Sequence, residues 1–171
     1  MVGRFLYRQF DLVLLHDVFE HLDHKQETLK TLANYLTPTG KLLITFPPFY
    51  SAFGGHQQLL KTWFARLPFV HLLPFMVSRV FPLLTKEPAS FVEEIQKLTR
   101  LRMGMTKFER LVPGAGLRVE QKQGYIISPN HIRFGFTPMP SNFIAGLPVV
   151  GEMFTSGVVY LLAREEIGMP L

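Results

Sequence analysis

The sequence predicts an α/β fold built around two buried parallel strands and the helix that joins them. Residues 12–15 (LVLL) form a continuous apolar run, which is typical of a strand covered on both faces of a parallel sheet. Residues 42–46 (LLITF) form a second apolar run, and the segment between the runs has the periodicity of an amphipathic helix. Two such strands with a packed helix make a βαβ unit, whose crossover is expected to be right-handed.

The helix of this unit is predicted from its apolar stripe and its ends. Four apolar residues share one helical face: Leu29, Leu32, Ala33 and Leu36. Asp23 is a favourable N-cap residue, and Gln26 three positions later completes a capping-box pattern. Pro38 and Gly40 predict the end of the helix and a tight turn into the second strand.

Two further helix starts are indicated later in the chain. Ser90 with Glu93 and Thr106 with Glu109 both match the capping box, and Gly104 is predicted to close the first of these helices.

The C-terminal part predicts two more strands. Residues 117–121 alternate between apolar and polar, which indicates a strand with one exposed face, continued by residues 125–127. Residues 128–151 are predicted to be loop, and residues 154–164 form a final buried strand.

The composition is that of an ordinary folded protein. With 171 residues, 47% of them hydrophobic and 18% charged, the chain is not a disordered or acidic-tail protein. It has no cysteine, which excludes a disulfide framework, a thiolate metal site and a cysteine nucleophile. We expect a cytoplasmic location, because neither a secretory signal nor a membrane-spanning apolar run is visible. Nucleic acid is not expected as a partner, because the basic residues are interspersed with aliphatic ones.

Residues 1–9 provide only a short lead into a strand that has the composition of a central one. A strand buried on both faces needs a neighbour on each edge, since an open apolar edge invites aggregation. Residues 42–46 supply one neighbour, and nothing before residue 10 supplies the other. We therefore expect residues 1–171 to be a single, truncated domain that lacks an N-terminal part of its fold.

Residues 57–105 are expected to form a helical insertion within that domain. Prolines at positions 68, 74 and 82 divide its most apolar part into short helical pieces. Two interpretations remain open. The insertion is either a lid that covers an apolar substrate or lies on a membrane surface, or a helical subdomain packed on its own core or on a second subunit.

Chemically reactive side chains gather where the two predicted parallel strands end. HDVFEH follows the first strand and PPFYSAFGGH follows the second. In open α/β sheets ligands bind outside the carboxyl ends of the strands, so a site is expected here. Phe49 and Tyr50 are predicted to line a substrate pocket, and the alternative is that they only cover the sheet edge.

Four segments follow one another in a recognisable order: FDLVLLHDVFEHL, LTPTGKLLITFP, a helix that ends before GAGLRVEQ, and a terminal TSGVVYLLAR. This order resembles the class I S-adenosylmethionine-dependent methyltransferases, with Thr39 in place of a glycine in the family's turn. The resemblance implies a partial Rossmann-like sheet of parallel strands with an antiparallel pair at its C-terminal edge. It also implies methyl transfer to a small acceptor, and the apolar insertion favours a lipophilic one.

The sequence departs from the family at the cofactor site. The family has a glycine-rich loop after its first strand and an acidic residue after its second, and neither is found here, since Gly54 and Gly55 follow a different strand. Without the backbone cradle and the ribose carboxylate, this chain alone is expected to bind S-adenosylmethionine weakly or not at all. The resemblance is therefore to the acceptor-side, C-terminal half of such an enzyme.

The resemblance implies roles for the loop after the first strand. His16, Asp17 and Val18 would border the methionine portion of the cofactor. Asp17, Glu20 and His21 form a mixed oxygen and nitrogen ligand set for a divalent metal, and the alternative is a solvated loop that caps the next helix. His21 is also a candidate general base, with a packed structural histidine as the alternative.

Two further sets are candidates on the acceptor side. His56 follows two glycines after the second strand, where a general base is useful, and a loop histidine in water is the alternative. His131 and Arg133 lie among aromatic residues and are predicted to contact an anionic acceptor.

The expected function is that of a methyltransferase, with a small-molecule acceptor as its partner. The alternative is a non-catalytic remnant or partner subunit that pairs its open sheet edge with another chain, a homodimer included. A peripheral membrane contact through the basic insertion is a third expectation.

Overall fold

The computed structural model describes residues 8–54, 68–72, 89–140, 142–147 and 150–165. These residues contain a five-stranded sheet in the order β1-β2-β5-β3-β4. The strands are β1 (Phe10–His16), β2 (Leu36–Phe46), β3 (Leu117–Ile127), β4 (Met139–Pro140) and β5 (Gly157–Arg164). β1 and β2 are parallel, and β5 is antiparallel to both β2 and β3. The predicted α/β fold class is confirmed.

The final strand lies inside the sheet. β5 is hydrogen-bonded between β2 and β3, and the edge position beyond β3 belongs to the two-residue strand β4. Val158, Tyr160 and Leu162 of β5 are fully buried, because they pack in the core on one face of the sheet. The antiparallel C-terminal pair is therefore present, although its last strand is an inner strand.

The helices are α1 (Lys25–Asn34), α2 (Ala89–Leu101), α3 (Met105–Leu111), α4 (Asn142–Ala145) and α5 (Val150–Phe154). Four 3-10 helices accompany them in the described residues: Phe19–His21, Val70–Leu72, Pro113–Ala115 and Pro129–Phe134. The segment 128–151 therefore contains short ordered elements, where the sequence predicted only loop. Its first element forms because the Ser128 hydroxyl accepts from Asn130 N and Gly135 ends the helix at φ 82°.

The capping box predicted for α1 does not form. His24 is the N-cap and makes no side-chain cap hydrogen bond. The two predicted members have other partners: the carboxylate of Asp23 lies 3.8 Å from the ammonium of Lys97, and Gln26 Nε2 donates to Leu111 O at 3.2 Å. Tertiary contacts have therefore replaced the local ones.

The other two predicted capping boxes are also wrong. α2 begins at Ala89, so Ser90 lies inside the helix. α3 begins at Met105 with Gly104 as its N-cap, so Gly104 opens this helix instead of closing the previous one. The free N–H of Thr106 donates to Glu152 Oε1 at 2.9 Å, and this carboxylate comes from α5.

One face of the sheet carries the core. Helices α1 and α3 and the 3-10 helix Phe19–His21 pack there against β2 and β5. Tyr160 lies at its centre, with ring centroids 4.5 Å from Phe108 and 5.9 Å from Phe46. Aromatic rings at such separations contribute more than their buried area alone.

The opposite face of β1 is open, contrary to the predicted burial on both faces. Leu12 and Leu14 are each 58% exposed. Within the described residues β1 pairs only with β2. The alternation along β1 therefore separates a core side, with Val13 and Leu15, from an uncovered side.

Only part of the predicted insertion 57–105 lies within the described residues, namely 68–72 and helix α2 onwards. A helical lid therefore stays a prediction. None of the helices in the described part of the chain has the length and hydropathy needed to cross a membrane.

Candidate functional site

A cleft of about 250 Å³ opens where β1 and β2 end and β5 begins. Its walls are mostly apolar, and a cluster of polar side chains lies at one end. The lining residues that matter here are His16, Asp17, Thr45, Asn130, Val158 and Val159. The cleft thus lies at the carboxyl ends of the parallel strands, where a site was predicted.

Asp17 is the centre of the polar cluster. Its φ of 51° lies in the left-handed region, which few residues other than glycine adopt without cost. Its backbone N–H donates to Thr45 O at 3.0 Å. Its carboxylate accepts from Thr45 Oγ1 at 3.2 Å and, through the other oxygen, from Asn130 Nδ2. Three hydrogen bonds, two to Thr45 and one to Asn130, therefore hold this residue in a conformation that it would otherwise avoid.

His16 is connected to the same cluster. It faces Thr45 across the β1–β2 pair, and its Nδ1 lies 2.7 Å from Thr45 Oγ1. Its Nε2 lies 3.7 Å from Asp17 Oδ2, beyond hydrogen-bond length. The side chain is 57% exposed, so the imidazole is accessible to a molecule in the cleft.

The wall opposite β1 is the start of the 3-10 helix Pro129–Phe134. The backbone N–H of Ser128 donates to Ser156 Oγ at 2.9 Å, which ties this wall to the start of β5. Gly157 leaves room for it, because an added Cβ at 157 would lie 2.7 Å from Ser128 Oγ. Asn130 is thereby held where its amide reaches Asp17.

The predicted metal ligands are not brought together. Among the described residues no group of three His, Asp or Glu side chains is arranged to hold a metal ion. The carboxylate of Asp17 binds Thr45 and Asn130, while Glu20 is buried on the core side of the sheet. His21 Nε2 lies 3.5 Å from Glu20 Oε1 and does not line the cleft, so its predicted catalytic role has no geometric support.

Lys25 stabilises the loop between β1 and α1. Its ammonium donates to Glu20 O, inside the 3-10 helix Phe19–His21, at 3.2 Å and to Leu22 O, directly after that helix. Burial, and then the charge of Lys107, lower the pKa of Lys25 from 10.5 to about 8. The loop between β1 and α1 is therefore packed by a buried cation.

Phe49 and Tyr50, the predicted aromatic substrate residues, lie away from the cleft. Phe49 is buried and packs edge-on against His71 at 5.1 Å, and His71 Nε2 lies 2.6 Å from Phe49 O. Tyr50 is 40% exposed, and its ring centroid lies 5.3 Å from that of Phe49. Neither ring lines the cleft. A role in lining a substrate pocket therefore stays a prediction, as does the alternative that they only cover the sheet edge.

The remaining predicted residues have less to do with the cleft. Val18 is exposed and does not line it. His131 is half-buried in the 3-10 helix that carries Asn130, but the cleft does not include it. The side chain of Arg133 and the whole of His56 lie outside the described residues.

Sequence reasoning missed Thr45, Ser128 and Asn130. Thr45 is the single hydroxyl within the run LLITF, which was a usable signal, because a polar residue next to the end of a buried strand needs a partner. Asn130 directly precedes the histidine that was chosen. Nothing local indicates that its amide meets a carboxylate 113 positions away.

The described residues do not form a complete site for S-adenosylmethionine. β1 continues into Asp17 and β2 continues into Pro47, so neither carboxyl end leads into a glycine-rich loop. The glycines with positive φ in the described part are Gly116 and Gly135, which precede β3 and follow a 3-10 helix. Weak cofactor binding by this chain stays a prediction.

A comparison with protein families matches residues 4–44 to a family described as a methyltransferase domain. The matched segment resembles a methyltransferase. It contains β1, α1 and the first part of β2, and it therefore includes His16 and Asp17. A search of curated proteins finds no match to the chain.

A search of solved structures matches the chain to several proteins at low sequence identity. The mitomycin 7-O-methyltransferase MmcR shares 14% identity at a TM-score of 0.41, over 92% of this chain and 30% of its own. PKMT2 from Rickettsia typhi, solved with AdoHcy, shares 13% identity at a TM-score of 0.45, over 99% of this chain and 38% of its own. The plantazolicin methyltransferase BpumL, solved with a pentazolic desmethylPZN analog and SAH, shares 14% identity at a TM-score of 0.41, over 92% of this chain and 53% of its own. The chain thus spans about a third to a half of the length of these proteins.

Proposed function

We propose that this chain forms the acceptor-side part of an S-adenosylmethionine-dependent methyltransferase. The observation that carries the proposal is the cleft at the carboxyl ends of β1 and β2, which lies next to the segment that matches a methyltransferase domain. The cofactor supplies a methyl group on a sulfonium. The residues described here would hold the acceptor, exclude water and take up its proton.

His16 is the residue of the cleft best suited to proton uptake. It is exposed to the cleft through one ring nitrogen, while the other is held by Thr45. A general base must lie within hydrogen-bond reach of the proton that it removes, and Nε2 is the nitrogen left for that purpose. We therefore propose His16 in place of His21 as the base.

The walls favour a small, largely apolar acceptor. Val158 and Val159 contribute aliphatic surface, and the polar cluster lies at one end only. With a volume of about 250 Å³, the cleft is smaller than a drug-sized site. A molecule of one or two rings with a single hydroxyl or amine would place its apolar body on the walls and its polar group at His16.

Methyl transfer from isotopically labelled S-adenosylmethionine to such acceptors tests the proposal. The chain is assayed at millimolar cofactor, because weak cofactor binding is expected. Transfer should fall by about 10²–10⁴-fold in His16→Gln, the range for loss of a general base. His24→Gln, on the exposed N-cap of α1, is the matched control and should keep full activity. Equal rates in the two variants would remove His16 from the reaction, and no transfer to any acceptor would remove the proposed function for this chain.

A second candidate function is that of a partner subunit that binds another chain through the edge of β1. Phe10, Leu12 and Leu14 are 47%, 58% and 58% exposed along a strand that pairs only with β2 in the described residues. An exposed apolar edge is a template for an added strand. Light scattering should show a dimer that Leu14→Lys converts to a monomer, whereas Val119→Lys on β3 should not. A wild-type monomer at all concentrations would exclude self-pairing.

A further inference from the structure

The polar cluster of the cleft determines the direction of its hydrogen bonds. An ionised carboxylate can only accept, so at Asp17 both the amide of Asn130 and the hydroxyl of Thr45 must donate. The side chain of Asn130 is thereby oriented with its nitrogen towards Asp17. The single hydroxyl hydrogen of Thr45 is used in the bond to Asp17 Oδ1.

The consequence reaches His16. Thr45 Oγ1 lies 2.7 Å from His16 Nδ1 and has no second hydrogen to give, so it must accept there. Nδ1 therefore carries a hydrogen. A neutral imidazole has only one N–H, which leaves Nε2 with a lone pair. Asp17 Oδ2 lies 3.7 Å from Nε2, too far for a hydrogen bond that would favour the opposite tautomer.

We infer that Asn130 and Asp17, acting through Thr45, hold neutral His16 in the Nδ1–H tautomer and so present the Nε2 lone pair to the cleft. The three are positioning residues, since each acts on the cleft through His16. The order is Asn130 to Asp17, Asp17 to Thr45, and Thr45 to His16. The inference deepens the proposed function. It rests on that proposal only where Nε2 is given the role of a general base.

The fold supports this arrangement at both ends. His16 and Thr45 are register partners in parallel strands, so their side chains leave the same face of the sheet. The left-handed backbone at Asp17 turns its carboxylate back towards Thr45. Asparagine and aspartate adopt this conformation more readily than other side chains, so an exchange between them leaves the backbone undisturbed.

Exchanging Asp17 for asparagine should reverse the tautomer. Asn130 continues to donate to the side-chain oxygen of the new residue, so the new amide nitrogen faces Thr45. The hydroxyl of Thr45 then accepts from this nitrogen and turns its hydrogen towards His16 Nδ1. The imidazole must accept at Nδ1 and carry its hydrogen on Nε2.

The experiment is long-range proton–nitrogen correlation NMR of the full chain labelled with ¹⁵N-histidine, at a pH where the imidazole is neutral. His16→Gln assigns the resonances. The wild type and Thr45→Ser should show the Nδ1–H form, Asp17→Asn the Nε2–H form, and Thr45→Val and Asn130→Ala a reduced Nδ1–H population. Thr31→Val is the control, because its hydroxyl donates to Glu27 O on α1, away from the cleft.

A wild-type Nε2–H form, or an unchanged tautomer in Asp17→Asn, overturns the inference. If Thr45→Val does not fold, the isosteric Asp17→Asn variant and the conservative Thr45→Ser variant still decide it. No cofactor or acceptor is needed for this measurement. The tautomer can therefore be as expected while methyl transfer fails. Equally, methyl transfer can succeed while the tautomer differs from the expected one.

Discussion

Gly104 and Glu152 form a coupled pair whose energetics can be worked out from the structure. Gly104 is the N-cap of α3, and Glu152 from α5 accepts from the first turn of that helix through Oε1. Glu152 is only 6% exposed, and its Oε2 has no hydrogen-bond partner among the described residues. A Cβ at position 104 would lie 2.2 Å from that oxygen. The absent side chain of Gly104 therefore makes room for the carboxylate.

The expected cost of Gly104→Ala is about 2–4 kcal/mol of unfolding free energy. The methyl displaces the carboxylate from Thr106, which loses a cap contact of about 1 kcal/mol. It also leaves buried polar groups without partners, which adds about 1–3 kcal/mol. Backbone strain does not contribute, since Gly104 has an extended φ of −106°.

A double-mutant cycle separates the clash from the intrinsic preference for glycine. In a Glu152→Ala background the methyl meets no carboxylate, so Gly104→Ala should cost less than about 1 kcal/mol there, the ordinary difference between these N-cap residues. The coupling energy should thus be about 1–3 kcal/mol, the range seen for residues in contact.

Urea unfolding of the four proteins, followed by far-UV circular dichroism, measures the cycle. Gly116→Ala is the matched control, because Gly116 has φ 67° and no atom within 4 Å of an added Cβ. Its cost comes from the backbone alone and should be the same with or without Glu152. If Gly104→Ala costs as much in the Glu152→Ala background as in the wild type, the carboxylate is not what excludes a side chain at 104.

Three further predictions concern buried groups. Burial lowers the pKa of Lys25 from 10.5 to about 8, so the unfolded chain binds more protons than the folded one between these pH values. The stability of the wild type should therefore rise relative to Lys25→Met as pH increases from 8 to 10.5. The gain is at most about 3 kcal/mol and is measured by urea unfolding at several pH values; a constant difference would contradict it. Gly157→Ala should destabilise by about 1–3 kcal/mol through its 2.7 Å approach to Ser128 Oγ, and Ser128→Gly should relieve most of that cost in the thermal midpoint. Burial, with the nearby charge of Glu109, raises the pKa of Tyr160, so ultraviolet titration of wild type and Tyr160→Phe should show the same phenolate signal at alkaline pH. Tyr160→Phe should also cost about 1–2 kcal/mol, since the hydroxyl donates to Glu109 Oε1 at 2.7 Å, and a neutral substitution would mean that this bond does not stabilise the fold.

Local patterns predicted the elements of the fold well, and their ends poorly. The apolar runs that became β1, β2 and β5 were recognised, because the period of a buried strand is contained in a few consecutive residues. None of the predicted capping boxes forms: the Thr106 N–H of α3 donates to Glu152, the side chain of Gln26 donates to Leu111, and α2 begins before Ser90. A cap needs only one acceptor, and tertiary packing supplied it from a distant segment.

The candidate site shows the same division. His16 and Asp17 were predicted because the end of a parallel strand is visible in the sequence, and they do line the cleft. The same strand ends also carry five predicted residues that do not line it: Val18, Glu20, His21, Phe49 and Tyr50. The roles of His56 and Arg133, the cytoplasmic location and the membrane contact stay predictions.

The sequence by itself determined the βαβ unit, the apolar core of β2 and β5, and the place along the chain where chemistry is concentrated. Only the tertiary structure decided which face of β1 is open, that β5 lies between β2 and β3, and that Asn130 and Thr45 complete the cluster at Asp17. The physical reason is range. Periodicity records which side of an element is apolar, whereas a hydrogen bond between residues 28 or 113 positions apart depends on the register of the strands and on the path of the chain around them.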